Sequence, residues 1–131
     1  MAVYFLDTTV LIDRMRGHPM VAERLASLAV QGHTLAWCAV SVAEFYSNLR
    51  AHDETRAYEL FSPLAYQDIK FKAAQQAGRL RYAAARRGRA LHTPDALIGG
   101  LALDMKAALL TKNVSHFALI PGLVIEELPP E

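Results

Sequence analysis

A chain of 131 residues, of which 53% are hydrophobic, has the size of one ordinary domain and enough apolar side chains to fill a core. No apolar run approaches the roughly 18 residues of a membrane span, and the first residues lack the features of a signal peptide, so we expect neither. The net charge of +1 excludes no partner. The single Cys38 cannot form an internal disulfide, so we expect a reducing, cytoplasmic location and a thiol packed as a small core residue.

Hydrophobic periodicity and turn residues predict strands alternating with helices. In chain order these are a strand at 3–6, helices at 10–15 and 19–30, a strand at 34–39, helices at 41–50, 54–61, 71–87 and 93–105, and strands at 107–110 and 123–125. Short continuous apolar runs are typical of strands that are buried on both faces of a parallel sheet. The alternation predicts an α/β fold with a central, mostly parallel sheet and helices on both faces. We expect a single domain over 1–131, with 128–131 as a loose tail.

Local signals predict where three of these helices begin or end. Ser41 and Glu44 have the S-x-x-E spacing of a capping box, which predicts Ser41 as an N-cap. Thr93 followed by Pro94 predicts an N-cap and a first helical residue. Gly88 directly follows the longest predicted helix, at 71–87, and is predicted to be the glycine that ends it. The expected buried face of that longest helix consists of Ala73, Ala77, Leu80 and Ala84.

Three acidic side chains and two neutral neighbours are expected to meet at one edge of the sheet. Asp7 directly follows the first strand, and Thr111 and Asn113 follow the strand at 107–110. Glu44 and Asp95 lie in the predicted first turns of helices, which gather at the same edge in such folds. A plainer interpretation remains open for two of them, because Glu44 would complete a capping box and Asp95 would complement a helix dipole.

Crowded carboxylates repel one another, and hard cations such as Mg²⁺ or Mn²⁺ relieve that repulsion because they prefer oxygen ligands. A cation held in this way generates hydroxide from water and stabilises the charge that develops on a phosphodiester. Hydrolysis of a phosphodiester is therefore the reaction that best uses such a site. By contrast, we interpret Asp13 and Asp104 as ordinary acids on helix faces.

A basic segment precedes Asp95. Seven of the fourteen Lys and Arg residues lie between Lys70 and Arg89, and no acid interrupts them. On a helix, Arg79 and Arg86 are two turns apart and nearly in line, and Arg89 follows just beyond. These arginines are candidates for contacts with RNA phosphates beside the acids, and the alternative is a solvated helix face.

Several segments, in order along the chain, resemble the motifs of PIN-domain ribonucleases of the VapC type. They are VYFLDTTVLID at 3–13, VAEF at 42–45, TPDALIGGLAL at 93–103, LTKNVSHF at 110–117 and IPGL at 120–123. The resemblance implies a PIN-like, three-layer α/β/α fold and a metal-dependent ribonuclease. It also implies that the protein is the toxin of a type II toxin–antitoxin pair.

The resemblance assigns roles to individual residues and implies partners. Asp7, Glu44 and Asp95 take the positions of the metal-binding acids, with Mg²⁺ or Mn²⁺ as the cofactor. Asn113 stands where many relatives have Asp, and Thr111 is placed to hydrogen-bond an acid or an attacking water. We interpret His116 as a structural or substrate-side contact. The implied partners are an RNA substrate, a VapB-like antitoxin and a second copy of the chain in a homodimer.

Two other functions remain open at this point. A phosphotransfer protein with an aspartyl-phosphate would also place Asp7 after the first strand, although Thr9 stands where a D-x-D pair would have its second Asp. A PIN-like module that binds RNA or a partner without cleaving is the other alternative, and the neutral Asn113 is the feature that favours it. Mg²⁺- or Mn²⁺-dependent cleavage of RNA separates these alternatives.

Overall fold

A computed structural model of the protein describes residues 1–129, which contain five strands, seven α-helices and a short 3₁₀ helix at Ala51–Asp53. The strands are β1 (Val3–Leu6), β2 (Thr34–Cys38), β3 (Ala65–Gln67), β4 (Ala108–Thr111) and β5 (Val124–Glu127). The helices are α1 (Thr8–Met15), α2 (Pro19–Val30), α3 (Ala39–Tyr46), α4 (Glu54–Phe61), α5 (Phe71–Arg86), α6 (Thr93–Asp104) and α7 (Val114–Phe117).

The strands form one sheet in the order β3-β2-β1-β4-β5, and every neighbouring pair is parallel. β1 is the central strand, where Phe5 is in register with Ala36 of β2 and with Leu109 of β4. The backbone N–H of Asp7 donates to the carbonyl of Leu110 at 3.0 Å, so the carboxyl ends of β1 and β4 lie side by side. The predicted parallel sheet is confirmed.

Apolar side chains pack on both faces of the sheet and produce three layers. Phe5 and Leu109 lie in a cluster with residues of α5 and α6, whereas Leu6 and Leu110 lie in a second cluster with residues of α1, α2 and α4. Successive strand residues therefore point into opposite layers, as the period of a strand requires. Cys38 is fully buried in the first cluster, as expected. The predicted face of the longest helix is buried as well: Ala73, Ala77, Leu80 and Ala84.

Two predicted helix N-caps are wrong, and the helix predicted at 10–15 begins two residues earlier, at Thr8. Helix α3 begins at Ala39 with Cys38 as its N-cap, and Ser41 is the third helical residue. The Ser41 hydroxyl accepts from the Cys38 N–H at 3.2 Å and donates to the Cys38 carbonyl at 3.1 Å, so it closes the cap from inside the helix. Helix α6 begins at Thr93 with His92 as its N-cap, so Thr93 is not the cap.

The predicted loose tail at 128–131 is wrong at its first residue. Leu128 is buried in the second apolar cluster, and its N–H donates to the carbonyl of Thr111 at 2.9 Å. The last part of that prediction, residues 130 and 131, lies outside the described residues. Across residues 1–129, no helix is both long and apolar enough to cross a membrane.

Candidate active site

The carboxylate of Asp7 is held at the junction between β1 and α1. The residue is only 5% exposed and serves as the N-cap of α1 in an extended backbone conformation. Its Oδ2 accepts hydrogen bonds from the hydroxyls of Thr9, at 2.9 Å, and Thr111, at 2.8 Å. Within residues 1–129, Oδ1 has no hydrogen-bond partner. This carboxylate oxygen is therefore available to a ligand.

The segment after β4 is tied to the segment after β1 by the same hydroxyls. Thr111 is fully buried, and its Oγ1 accepts from the N–H of Asn113 at 2.9 Å while it donates to Asp7. The N–H of Lys112 donates to Thr9 Oγ1 at 3.4 Å. Of the two roles predicted for Thr111, the structure shows the hydrogen bond to an acid.

Glu44 reaches the same place from α3. Its Oε1 accepts a hydrogen bond of 2.7 Å from the hydroxyl of Thr8, the first residue of α1. Because Ser41 occupies the third helical position of α3, Glu44 lies one turn further along and takes no part in a capping box. The interpretation of Glu44 as a helix cap is therefore wrong.

Asp95 enters from the first turn of α6, where its half-buried carboxylate lies 3.6 Å from Nδ1 of His116. Burial raises the pKa of Asp95 above its usual value, and the negative charges of Asp7 and Glu44 raise it further. The charges of His116 and His92 act in the opposite direction. The carboxylates of Asp7 and Glu44 are thus close enough to disfavour the charged form of Asp95.

These side chains line one cavity of about 430 Å³. Its lining residues are Asp7, Thr8, Thr9, Glu44, Ser47, Asn48, His92, Pro94, Asp95, Asn113 and His116. The structure therefore brings together the three predicted acids and Asn113. Thr111 lies beneath Asp7 instead of on the cavity wall.

The PIN domain family model matches residues 4–123 of this chain. Ribonuclease VapC19 of Mycobacterium tuberculosis is 32% identical over 120 residues, which cover 90% of this chain and 94% of that protein. This chain belongs to the PIN-domain family.

Other similar proteins support the same fold for this PIN domain. Ribonuclease VapC2 of Rickettsia felis is 26% identical over 95% of this chain and 96% of its own length. The crystal structure of VapBC2 from Rickettsia felis, bound to a DNA fragment from their promoter, contains a chain that superposes with a TM-score of 0.86. It is 26% identical, and the match covers 97% of this chain and 99% of that one. The expected PIN-like fold is therefore confirmed.

Sequence reasoning missed part of the PIN-domain site. Thr8 and Thr9 lie in the first motif, but nothing in the sequence indicates that their hydroxyls donate to Glu44 and Asp7. The interpretation of Asp13 as an ordinary helix-face acid is wrong, because Asp13 is 4% exposed and pairs with Lys112 Nζ at 2.5 Å. The opposite charges of Asp13 and Lys112 were the only feature of the sequence that could have indicated this ion pair.

The other acid that we interpreted as an ordinary one behaves as expected. Asp104 is an exposed residue at the end of α6, and its carboxylate lies 3.7 Å from Nζ of Lys72, which is itself 85% exposed. Exposed pairs of this kind contribute little to stability. Asp104 is therefore a useful control for substitutions at the acidic cavity.

The three arginines selected from the sequence are exposed and lie outside the acidic cavity. Arg86 stacks on the ring of Tyr82 with its guanidinium carbon 5.6 Å from the ring centre. Arg89 lines a neighbouring cavity that includes His92, which also lines the acidic cavity. Arg89 is therefore beside the acidic cavity, whereas Arg79 lines neither of the two.

The oxygen donors of this PIN domain fit a hard divalent cation. Among residues 1–129, no three His, Cys, Asp or Glu side chains are close enough to bind one metal ion together. Mg²⁺ does not require such a cluster, because it keeps several water ligands and uses one or two carboxylates. Asp7, Glu44 and Asp95 are the carboxylate residues that line the cavity, and Oδ1 of Asp7 has no hydrogen-bond partner within residues 1–129. They suit Mg²⁺ or Mn²⁺ better than soft metals, which prefer sulfur.

Replacing Asp95 with asparagine is expected to stabilise the metal-free protein at neutral pH. Because the pKa of Asp95 is raised in the folded state, folding favours the protonated side chain. The stability that this preference contributes is fully present below the unfolded pKa and is lost as the pH rises through the folded pKa. The Asp95→Asn variant avoids that loss. We therefore expect a higher Tm than wild type at pH 7.5 in EDTA, with the difference shrinking as the pH falls towards 4.

The matched control is Asp104→Asn, which removes an exposed acid and should not reproduce this pH dependence. Thermal unfolding followed by circular dichroism across the pH range measures both variants. A lower Tm for Asp95→Asn at pH 7.5 would contradict the prediction. It would mean that the favourable interaction of Asp95 with the dipole of α6 outweighs burial and repulsion.

Proposed function

We propose that this single PIN domain is a ribonuclease that depends on Mg²⁺ or Mn²⁺ and acts in the cytoplasm as the toxin of a toxin–antitoxin pair. The observation that carries the proposal is the cavity where Asp7, Glu44, Asp95 and Asn113 meet. It is supported by relatives named as VapC ribonucleases, which match nearly the whole chain. The free, buried Cys38 is compatible with a reducing compartment.

In this proposal Asp7, Glu44 and Asp95 supply the negative charge of the cation site, with one or two of them binding the cation directly and the rest acting through its water ligands. When bound, the cation supplies positive charge that offsets charge building on the phosphodiester and makes a water easier to deprotonate. Thr9 and Thr111 hold Oδ2 of Asp7, which leaves Oδ1 for the cation. Thr8 does the same for Glu44 through Oε1. The side-chain orientations of Asp7 and Glu44 are thus set by threonine hydroxyls that follow β1 or end β4.

Asn113 and His116 complete the proposed site on the substrate side. The amide of Asn113 adds no charge that would hold a second cation, but its N–H groups can donate to a phosphate oxygen. His116 is about half exposed beside Asp95, which places it at the rim of the cavity. We assign it a contact with the RNA. Arg79, Arg86 and Arg89 are the proposed contacts to more distant RNA phosphates.

The proposed partners are a VapB-like antitoxin and a second copy of the chain. The relative from Rickettsia felis was crystallised as the VapBC2 complex, which supports an antitoxin for this protein too. A basic side chain from such a partner would pair with Asp7 or Asp95 and compete with the cation for the same negative charge. The homodimer follows from family resemblance alone.

Cleavage of RNA in the presence and absence of metal tests this function. We expect wild-type protein to cut labelled RNA with Mg²⁺ or Mn²⁺ but not in EDTA, and we expect Mn²⁺ to raise the Tm by mass action. At a concentration 100 times the Kd, a ligand stabilises by about 2.7 kcal/mol. Gel electrophoresis of the RNA and thermal unfolding are the two measurements.

The same experiment separates the alternatives. RNA binding without cleavage in millimolar Mn²⁺ would favour a non-cleaving module. If Mn²⁺ causes no cleavage and no rise in Tm, the acids do not form one metal site. The Asp104→Asn variant is the control for a general effect of removing an acid, and it should behave as wild type.

A further inference from the structure

A second cavity of about 630 Å³ adjoins the acidic one. It lies between the outer face of α5 and the segment 88–92 that leads into α6, and its lining includes Arg81, Tyr82 and Arg89. His92 lines both cavities. A chain-like ligand that crosses His92 would therefore pass from one cavity into the other.

Tyr82 offers an aromatic surface in this second cavity. The residue is 66% exposed and lines the cavity. The guanidinium of Arg86 lies 5.6 Å from the ring centre, and its Nη1 donates to the Tyr82 hydroxyl at 3.2 Å. This contact holds the ring in place and leaves most of its surface free. A fixed, exposed ring is the platform on which nucleobases stack in single-strand binding proteins.

The charges around Tyr82 favour a polyanion. Arg81 and Arg89 line the cavity, Arg86 lies against the ring, and none of the described lining residues is acidic. Arg81 is fixed because its Nε donates to the carbonyl of Leu91 at 2.9 Å, so its remaining N–H groups border the cavity. A second copy of the chain, docked symmetrically on this face, would bring two sets of the same cations together and would be repelled.

We propose that this second cavity is a nucleotide subsite for single-stranded RNA. One base stacks on Tyr82, its phosphate lies against Arg81 and Arg89, and the RNA continues past His92 to the acids. The inference rests on the proposed ribonuclease function and deepens it. It assigns the α5 face to a nucleotide some distance along the RNA from the cleaved bond, and that nucleotide must be unpaired to stack on Tyr82.

Binding of a short fluorescent single-stranded RNA, measured by anisotropy in EDTA with the Asp7→Asn background, tests the stacking contact. Stacking of one base contributes about 1–3 kcal/mol, so Tyr82→Leu should weaken the Kd by roughly tenfold. Tyr82→Trp should keep the wild-type affinity. The matched control is Tyr58→Leu on α4, because Tyr58 is similarly exposed, at 62%, and lies outside both cavities.

The charge contact is tested by Arg89→Ala against Lys106→Ala. Lys106 is exposed and precedes β4, so it lies at the opposite end of that strand from Thr111. Arg89→Ala should weaken binding and lower the slope of log K against log salt by about 0.7, whereas Lys106→Ala should change neither.

In the Tyr82→Trp variant, RNA should also quench tryptophan fluorescence more than it does in wild type, whose Trp37 provides the background.

Equal affinities of Tyr82→Leu and Tyr58→Leu would overturn the subsite, while metal-dependent cleavage by wild type would leave the proposed function intact. A change of oligomeric state in Tyr82→Leu, seen by sedimentation, would overturn it too and assign the α5 face to contacts between copies. If wild type neither binds nor cleaves RNA, both proposals fail.

Discussion

Replacing Asp7 with asparagine is expected to abolish metal-dependent RNA cleavage, with kcat falling by more than about 100-fold. Loss of a residue that only supports a metal ligand costs about 10–100-fold, so loss of a proposed ligand should cost more. The substitution is nearly isosteric. The amide oxygen of Asn can still accept from the hydroxyls of Thr9 and Thr111, and the amide nitrogen then replaces Oδ1, which removes the donor that faces the cavity.

Rates of cleavage of one labelled RNA, at saturating Mn²⁺, measure the effect. Asp104→Asn is the control, because it removes a comparable charge from a surface ion pair. The metal-induced rise in Tm should shrink in Asp7→Asn and persist in the control. Wild-type cleavage by Asp7→Asn would remove Asp7 from the proposed catalytic machinery.

Replacing Lys112 with methionine is expected to destabilise the fold by about 3 kcal/mol or more. Asp13 is 4% exposed and the Lys112 side chain 22% exposed, so the substitution leaves a buried carboxylate without its counter-charge. Removing one partner of a buried ion pair typically costs about 3–5 kcal/mol, whereas replacing both partners by apolar residues costs much less. The double variant Asp13→Leu, Lys112→Met should therefore be more stable than Lys112→Met alone.

Urea unfolding of the single variants Asp13→Leu and Lys112→Met and of the double variant gives the coupling energy between Asp13 and Lys112. Lys72→Met is the control, because its exposed pair with Asp104 should contribute less than about 1 kcal/mol. A loss below about 1 kcal/mol in Lys112→Met would show that water reaches Asp13 and replaces the ammonium group.

Much of the fold was predictable because local signals and tertiary packing agree. The helix Pro19–Val30 begins and ends at its predicted residues, since proline marks its start and Gly32, at φ +87°, follows its end. Strand Ala65–Gln67 was missed because it is three residues long and, within residues 1–129, pairs with β2 alone. Helix Val114–Phe117 was missed for a similar reason, because four residues are too few for a helical pattern.

The candidate site was predictable to the extent that parallel topology collects the residues that follow strands. Asp7 and Asn113 meet because β1 and β4 are neighbours. The partner of each acid was not predictable, since the bond from Thr8 to Glu44 joins residues 36 positions apart. The S-x-x-E spacing of Ser41 and Glu44 was misleading, because Ser41 itself closes the cap of α3.

The hydrogen bonds of Thr111 determine when the acidic site can form during synthesis of the chain. Its hydroxyl orients Asp7 across 104 positions of sequence, and its carbonyl accepts from the later Leu128. Synthesis proceeds from the N-terminus, so Asp7, Glu44 and Asp95 all leave the ribosome before the residue that sets the Asp7 carboxylate. A nascent chain therefore carries its acids in an unfinished arrangement. The acids therefore reach their final arrangement only after Thr111 has been synthesised and has folded against Asp7.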